Sequence, residues 1–153
     1  MRDVLKIADE MLKVAKRRGE QLTPMQLMKL VYIAHGFRLG RDGVPLFPNR
    51  IEAWKYGPVV PDLYHSTKKF GRGVIPFDLI GNASAASPEI PAFLEEVYNV
   101  YGRFSAITLS SLTHQAGSPW AQVYKPHELG IEIPDEIIKR YYEQKFASTD
   151  TAA

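Results

Sequence analysis

The chain of 153 residues contains no cysteine. That absence excludes disulfide scaffolds, thiolate zinc sites, iron–sulfur clusters and cysteine nucleophiles, and it fits a reducing, cytoplasmic setting. Long apolar runs are also missing. No stretch approaches the roughly 18 residues of a membrane helix. The opening "MRDVLKIADE" brings acids too early for the apolar core of a signal peptide. Charge of one sign is not in excess: 19 Lys and Arg stand against 17 Asp and Glu, a net charge of +2. The resulting pI of about 8.8 permits contact with nucleic acid or an acidic partner without arguing for either. Signature motifs are scarce as well. His35, His65, His114 and His127 include no pair at the i, i+4 spacing of a helical metal site, and HExxH and GxSxG are absent. The glycines of "FGRGVIPF" follow a helical stretch and lead into Pro76, which suits a helix terminator better than a phosphate loop. No cofactor or metal is expected.

What is present reads as one mainly α domain. The length favours a single domain, and 45% hydrophobic with 24% charged residues is ordinary for a globular chain. Val4, Leu5, Ala8, Met11, Leu12 and Ala15 share one face of a helix over 3–18, closed by Gly19. Thr23-Pro24 is a capped start for a helix that is apolar nearly all round, which suits a central position; Gly40 is expected to end it. Pro61, Ser87-Pro88, Ser105 or Thr108, and Pro134 open four more. Residues 74–87 read as irregular, with the Gly-Asn-Ala-Ser-Ala-Ala part as a mobile loop, and Pro119-Trp120 to Pro126 as a turn. Val44–Phe47 is expected to pair with "RIEAW" in a small β-hairpin. The prediction is a single compact domain of about six helices over 1–146, with a disordered tail, "ASTDTAA", over 147–153.

Three features invite a functional reading. Lys13, Lys16, Arg17 and Arg18 crowd one helix end; a solvated end explains them better than a DNA-binding regulator, because the next helix is too apolar for a groove. "SSLTHQ" gathers Ser110, Ser111 and His114, the ingredients of a small hydrolase, yet capping and core hydrogen bonds account for them more simply. The third is "IEAWKYGPVVP" (51–61). Tyr56-Gly57-Pro58 makes a sharp corner, with Gly57 biased to extended geometry by the following proline. Trp54 and Tyr56 either pack that corner onto the core or line a contact surface, and composition leaves both open.

The stretch from Leu22 to Gly71 resembles the Panacea domain, also described as the phage-associated GepA-like domain. The likeness rests on Leu27, Lys29, Leu30, Tyr32 and Ala34; on Gly43, Pro45, Leu46 and Phe47; on Glu52, Ala53, Trp54, Tyr56, Gly57, Pro58 and Val59; and on Tyr64. Leu112, Thr113, His114, Pro119 and Trp120 resemble its later Leu-Thr-His…Pro-Trp element. The match covers roughly residues 1–125. The resemblance implies a non-enzymatic antitoxin that neutralises a toxin by direct binding. In the SocA-like type it also implies a proteolytic adaptor that delivers the toxin to ClpXP. The partners so implied are a cognate toxin and the ClpX or ClpXP protease, with no membrane and with nucleic acid disfavoured. Trp54, Lys55, Tyr56, His114 and Trp120 are the candidate contact residues; Leu30, Gly57 and Pro58 are the candidate structural ones. The terminal Ala152-Ala153 resembles a tag gripped by ClpX-type unfoldases.

Overall fold

The computed structural model describes residues 3–76 and 89–152, with side-chain surroundings through 147. Among them are seven α-helices and one small sheet.

Helix α1 (Val4–Arg17) starts on Asp3, whose carboxylate accepts the Leu5 N–H at 2.9 Å. Of the face the sequence marks, Val4, Ala8, Met11, Leu12 and Ala15 are buried and Leu5 is half-buried; Ile7 and Val14 are buried as well, and Gly19 closes the helix at φ +71°. Helix α2 (Pro24–Asp42) opens with Pro24 in its first turn and a full capping box between Thr23 and Gln26. Leu27 through Gly36 are buried without a break, and α1, α3, α4, α5 and α7 all pack against this helix. A helix with no polar face is stable only when surrounded, which makes α2 the axis of the fold.

Gly40 does not end α2, contrary to expectation. The helix runs on to Asp42 and closes at Gly43, which takes the left-handed conformation at φ +75°. Gly40 instead lets α7 (Asp135–Ala152) approach: a Cβ there would lie 2.6 Å from Tyr142 Cβ and 2.8 Å from the Tyr142 carbonyl carbon. Tyr142 is buried in this crossing, and Phe37 meets the rings of Tyr142, Tyr101 and Phe146 edge-on. The tail boundary expected at 146 falls inside α7.

The hairpin is real, but its partner strand is not Val44–Phe47. β1 (Glu52–Trp54) pairs antiparallel with β2 (Gly57–Val59), Trp54 opposite Gly57 and Glu52 opposite Val59. Leu46 and Phe47 go to the core instead, where the Phe47 ring stacks on His35 at 4.1 Å. β3 (Ile131–Glu132) pairs on the other side of β1, giving the order β2-β1-β3. α3 (Pro61–Thr67) follows β2 directly and tightens into a 3-10 turn over Lys68–Phe70.

α4 (Glu89–Tyr101) lies along α1. Its expected start, Ser87-Pro88, and most of the loop expected over 74–87 lie outside the described residues. α5 (Ala106–His114) is capped by Ser105. The segment expected as a turn after Pro119 is a short helix, α6 (Pro119–Val123), because the Ser118 hydroxyl caps the Ala121 N–H and Pro119 occupies the first turn. The basic end of α1 is occupied too: Arg17 and Arg18 both bond Glu95 on α4, and Arg18 also bonds Asn99 and covers the Tyr98 ring.

Candidate functional site

The β1–β2 hairpin packs on α2 and α5 and carries the exposed Lys55 and Tyr56 at its tip. Tyr56 is 63% exposed and the Lys55 ammonium lies over its ring. A two-stranded ribbon of three residues a side is marginal by itself. Here three helices hold it through its backbone carbonyls. From α2, the Lys29 ammonium donates to the Pro58 carbonyl at 3.0 Å and to the Tyr56 carbonyl at 3.4 Å. From α5, the Ser110 hydroxyl donates to the same Tyr56 carbonyl at 2.9 Å. From α6, the Trp120 indole N–H donates to the Trp54 carbonyl at 2.6 Å.

The local sequence explains why this works. Pro58 has no N–H, so opposite Ala53 it makes a non-hydrogen-bonded pair and its carbonyl points out of the sheet. That outward carbonyl is what Lys29 takes, and an edge so occupied cannot recruit another strand. Gly57 adopts φ +118°, a conformation L side chains rarely adopt, rather than the extended geometry expected ahead of a proline. A Cβ on it would press to 3.0 Å from Lys29 Nζ and 3.5 Å from Thr113 Oγ1.

Lys29 enters the sequence reading only through the family resemblance, with no role given. It is buried, and burial lowers its pKa to about 8 from the usual 10.5. The signal was available: one lysine in the middle of a helix with no polar face must have acceptors waiting.

The predicted contact residues are brought together, in two groups. Trp54 donates its indole N–H to Glu52 at 2.9 Å and meets the Tyr64 ring edge-on at 4.9 Å. His114 meets Trp120 edge-on at 5.4 Å, and Trp120 stacks on Tyr124 at 4.5 Å. Trp54, His114 and Trp120 are half-buried, whereas Lys55 and Tyr56 are exposed. Leu30 is wholly buried in the core, and Gly57 and Pro58 are buried in the hairpin.

The hairpin separates two hollows. On the α2–α3 side lies a groove of about 480 Å³, lined among others by Met25, Met28, Lys29, Trp54, Tyr56 and Tyr64. On the other side Trp54 and Lys55 border a hollow of about 620 Å³ with Glu52, Tyr124 and Glu128.

Chemically, the site is poor in reactive arrangements. Ser110 Oγ and His114 Nδ1 are 3.4 Å apart, but the serine proton goes to the Tyr56 carbonyl, and among the described residues no carboxylate bonds His114. The described residues hold no group of His, Asp and Glu able to bind a metal ion, and no helix long and apolar enough to cross a membrane.

A family model described as "Antitoxin SocA-like, Panacea domain" matches residues 27–121, a span that begins at Leu27 and ends just past Trp120. Antitoxin SocA of Caulobacter vibrioides (strain NA1000 / CB15N) is 32% identical over 158 residues, covering 94% of this chain and 84% of that protein. No solved structure matches.

Proposed function

We propose that this chain, which belongs to the SocA-like Panacea antitoxin family, is the antitoxin of a toxin–antitoxin system and silences a protein toxin by binding it directly. The observation that carries the reading is Tyr56. A large aromatic side chain stands 63% exposed on a hairpin tip whose carbonyls are held from three helices. Such a side chain loses little freedom on binding, and aromatic anchors on rigid backbone contribute most to protein interfaces. Trp54 and Lys55 flank it, and His114 and Trp120 form the second contact group behind it.

The mechanism is stoichiometric. A nanomolar complex corresponds to roughly −12 kcal/mol, enough to keep a toxin occupied at cellular concentrations. Non-enzymatic action agrees with the use of Ser110 as a structural donor. The chain works in the cytoplasm, and after binding it delivers the toxin to the ClpXP protease, as the resemblance to the SocA-like type implies.

The test is growth. The protein encoded beside this chain is induced alone, with the wild-type chain, and with the Tyr56→Ala variant, in cells with and without ClpX. Rescue by the wild type and its loss with Tyr56→Ala, at equal antitoxin levels, is the expected result. Rescue that disappears without ClpX marks the chain as an adaptor, whereas rescue that persists means binding alone suffices and the delivery step is wrong. If no neighbour is toxic, the antitoxin reading fails, and if wild type and variant rescue alike, the tip is not the contact.

A further inference from the structure

The two hollows beside the hairpin differ in charge. The one that includes Glu52 and Glu128 balances them against Lys55, and Glu52 is already bonded by Arg50 and by the Trp54 indole. The groove toward α2 and α3 is lined by three lysines, Lys29, Lys55 and Lys68, and by no acid. Its remaining surface is mostly apolar, with Met25 and Met28 from α2, Trp54 and Tyr56 from the hairpin, and Tyr64 from α3. Met25 and Tyr64 are exposed at 41% and 39%, although each has the apolar area to be buried. Methionines adapt to varied shapes, and the Trp54–Tyr64 pair gives a firm wall. The Lys29 ammonium at the floor gives its protons to carbonyls, not to a carboxylate, so its positive charge is not neutralised within the chain.

An apolar trough with unopposed cations selects a partner segment of matching chemistry. Resting on the antitoxin reading, we propose that this groove takes an acidic, apolar segment of the toxin. A bulky apolar side chain sits between Met25, Met28 and Tyr64, and a flanking carboxylate pairs with Lys55 or Lys68. The volume of about 480 Å³ suits a few side chains rather than a whole domain. Lysines at the rim steer the approach and the apolar trough supplies the hold, so a toxin lacking the carboxylate meets a slower association and one lacking the apolar anchor a faster release.

The experiment needs no toxin. A random-peptide phage library is selected on the immobilised full-length chain, and the enriched peptides are synthesised and titrated by fluorescence polarisation. The expected winners carry a bulky apolar residue next to Asp or Glu. Their binding weakens at least about ten-fold in the Lys55→Glu/Lys68→Glu double variant and likewise in Met25→Asp, and is unchanged in Lys125→Glu on another face. No enrichment, winners without acids, or equal binding by both groove variants overturns the proposal. So does self-association in sedimentation equilibrium that Met25→Asp abolishes, which would assign the groove to a second copy. A chain that passes but rescues no toxin keeps the groove and loses the antitoxin reading. One that rescues equally well with both groove variants keeps the reading and loses the groove.

Discussion

A lysine ammonium taken out of water costs free energy that its hydrogen bonds must offset, and Lys29 shows the balance in its own titration. Burial is the cause that lowers its pKa to about 8, so the folded state disfavours the charged form relative to the unfolded chain at 10.5. The sign follows from proton counts. Between pH 8 and 10.5 the unfolded chain holds the proton that the folded chain has released, so stability rises with pH across that window. The buried tyrosines Tyr32 and Tyr142 act in the opposite sense, since burial raises both above the usual 10.0 and stability falls once the unfolded phenols ionise. Urea unfolding at stepped pH is therefore expected to give a gain on the order of 2 kcal/mol between pH 8 and 10 in the wild type relative to Lys29→Met. The slope is the readout, because Lys29→Met also loses two hydrogen bonds and starts from a lower level. Parallel curves would mean that Lys29 is solvated.

At the scale of elements, the α2–α7 crossing is set by glycine. Gly36 and Gly40 lie one turn apart on α2 and face Tyr142, and at Gly40 the obstacle to a Cβ is partly α7 backbone, which cannot rotate away. Gly40→Ala is expected to lower the unfolding free energy by about 2 kcal/mol despite alanine's better helix propensity, since overpacking outweighs the roughly 1 kcal/mol that propensity returns. A thermal melt of Gly40→Ala at or above the wild-type midpoint would mean the helices stand further apart. This crossing also marks where the sequence stopped being legible. Capping residues and prolines at first turns are local signals, so the starts of α2, α3, α5 and α7 were readable, and the apolar face showed α1. Gly40 has two uses, stop or close approach, and only the position of a helix some hundred residues away decides between them. The hairpin failed for the same reason: Val44–Phe47 has strand composition, but Leu46 and Phe47 were claimed by the core and by His35. The candidate contact residues around Trp54 and Trp120 could be named because large amphipathic rings are conspicuous. Lys29 and Ser110, which hold the tip, were named too, and core hydrogen bonding was the preferred reading of Ser110, but their partners could not be read because the acceptors lie 27 to 54 positions away.

The whole molecule is organised so that an exposed hairpin tip is tied to its most buried helix. Lys29 sits within α2, the axis against which most other helices pack, and its ammonium reaches the tip directly; Ser110 and Trp120 reach the same ribbon from α5 and α6. Releasing the hairpin therefore strands a buried ammonium, a serine hydroxyl and an indole N–H together, and each unpaired group costs about 1–3 kcal/mol. The sum is comparable with the total stability of a domain, so opening the hairpin and unfolding the chain should be one event rather than two. Native-state hydrogen exchange tests this without any partner. The amides of Trp54 and Val59 are expected to exchange with the same free energy and the same denaturant slope as those of Leu30 and Val31 in α2. A smaller slope at the hairpin would mean a flap that opens on its own, and a partner would then have to supply the ordering that this architecture otherwise builds in beforehand. Lys29→Met should produce that flap, lowering hairpin protection while leaving the α2 amides tied to global unfolding. The same variant thus separates the rigidity of the tip from the stability of the core.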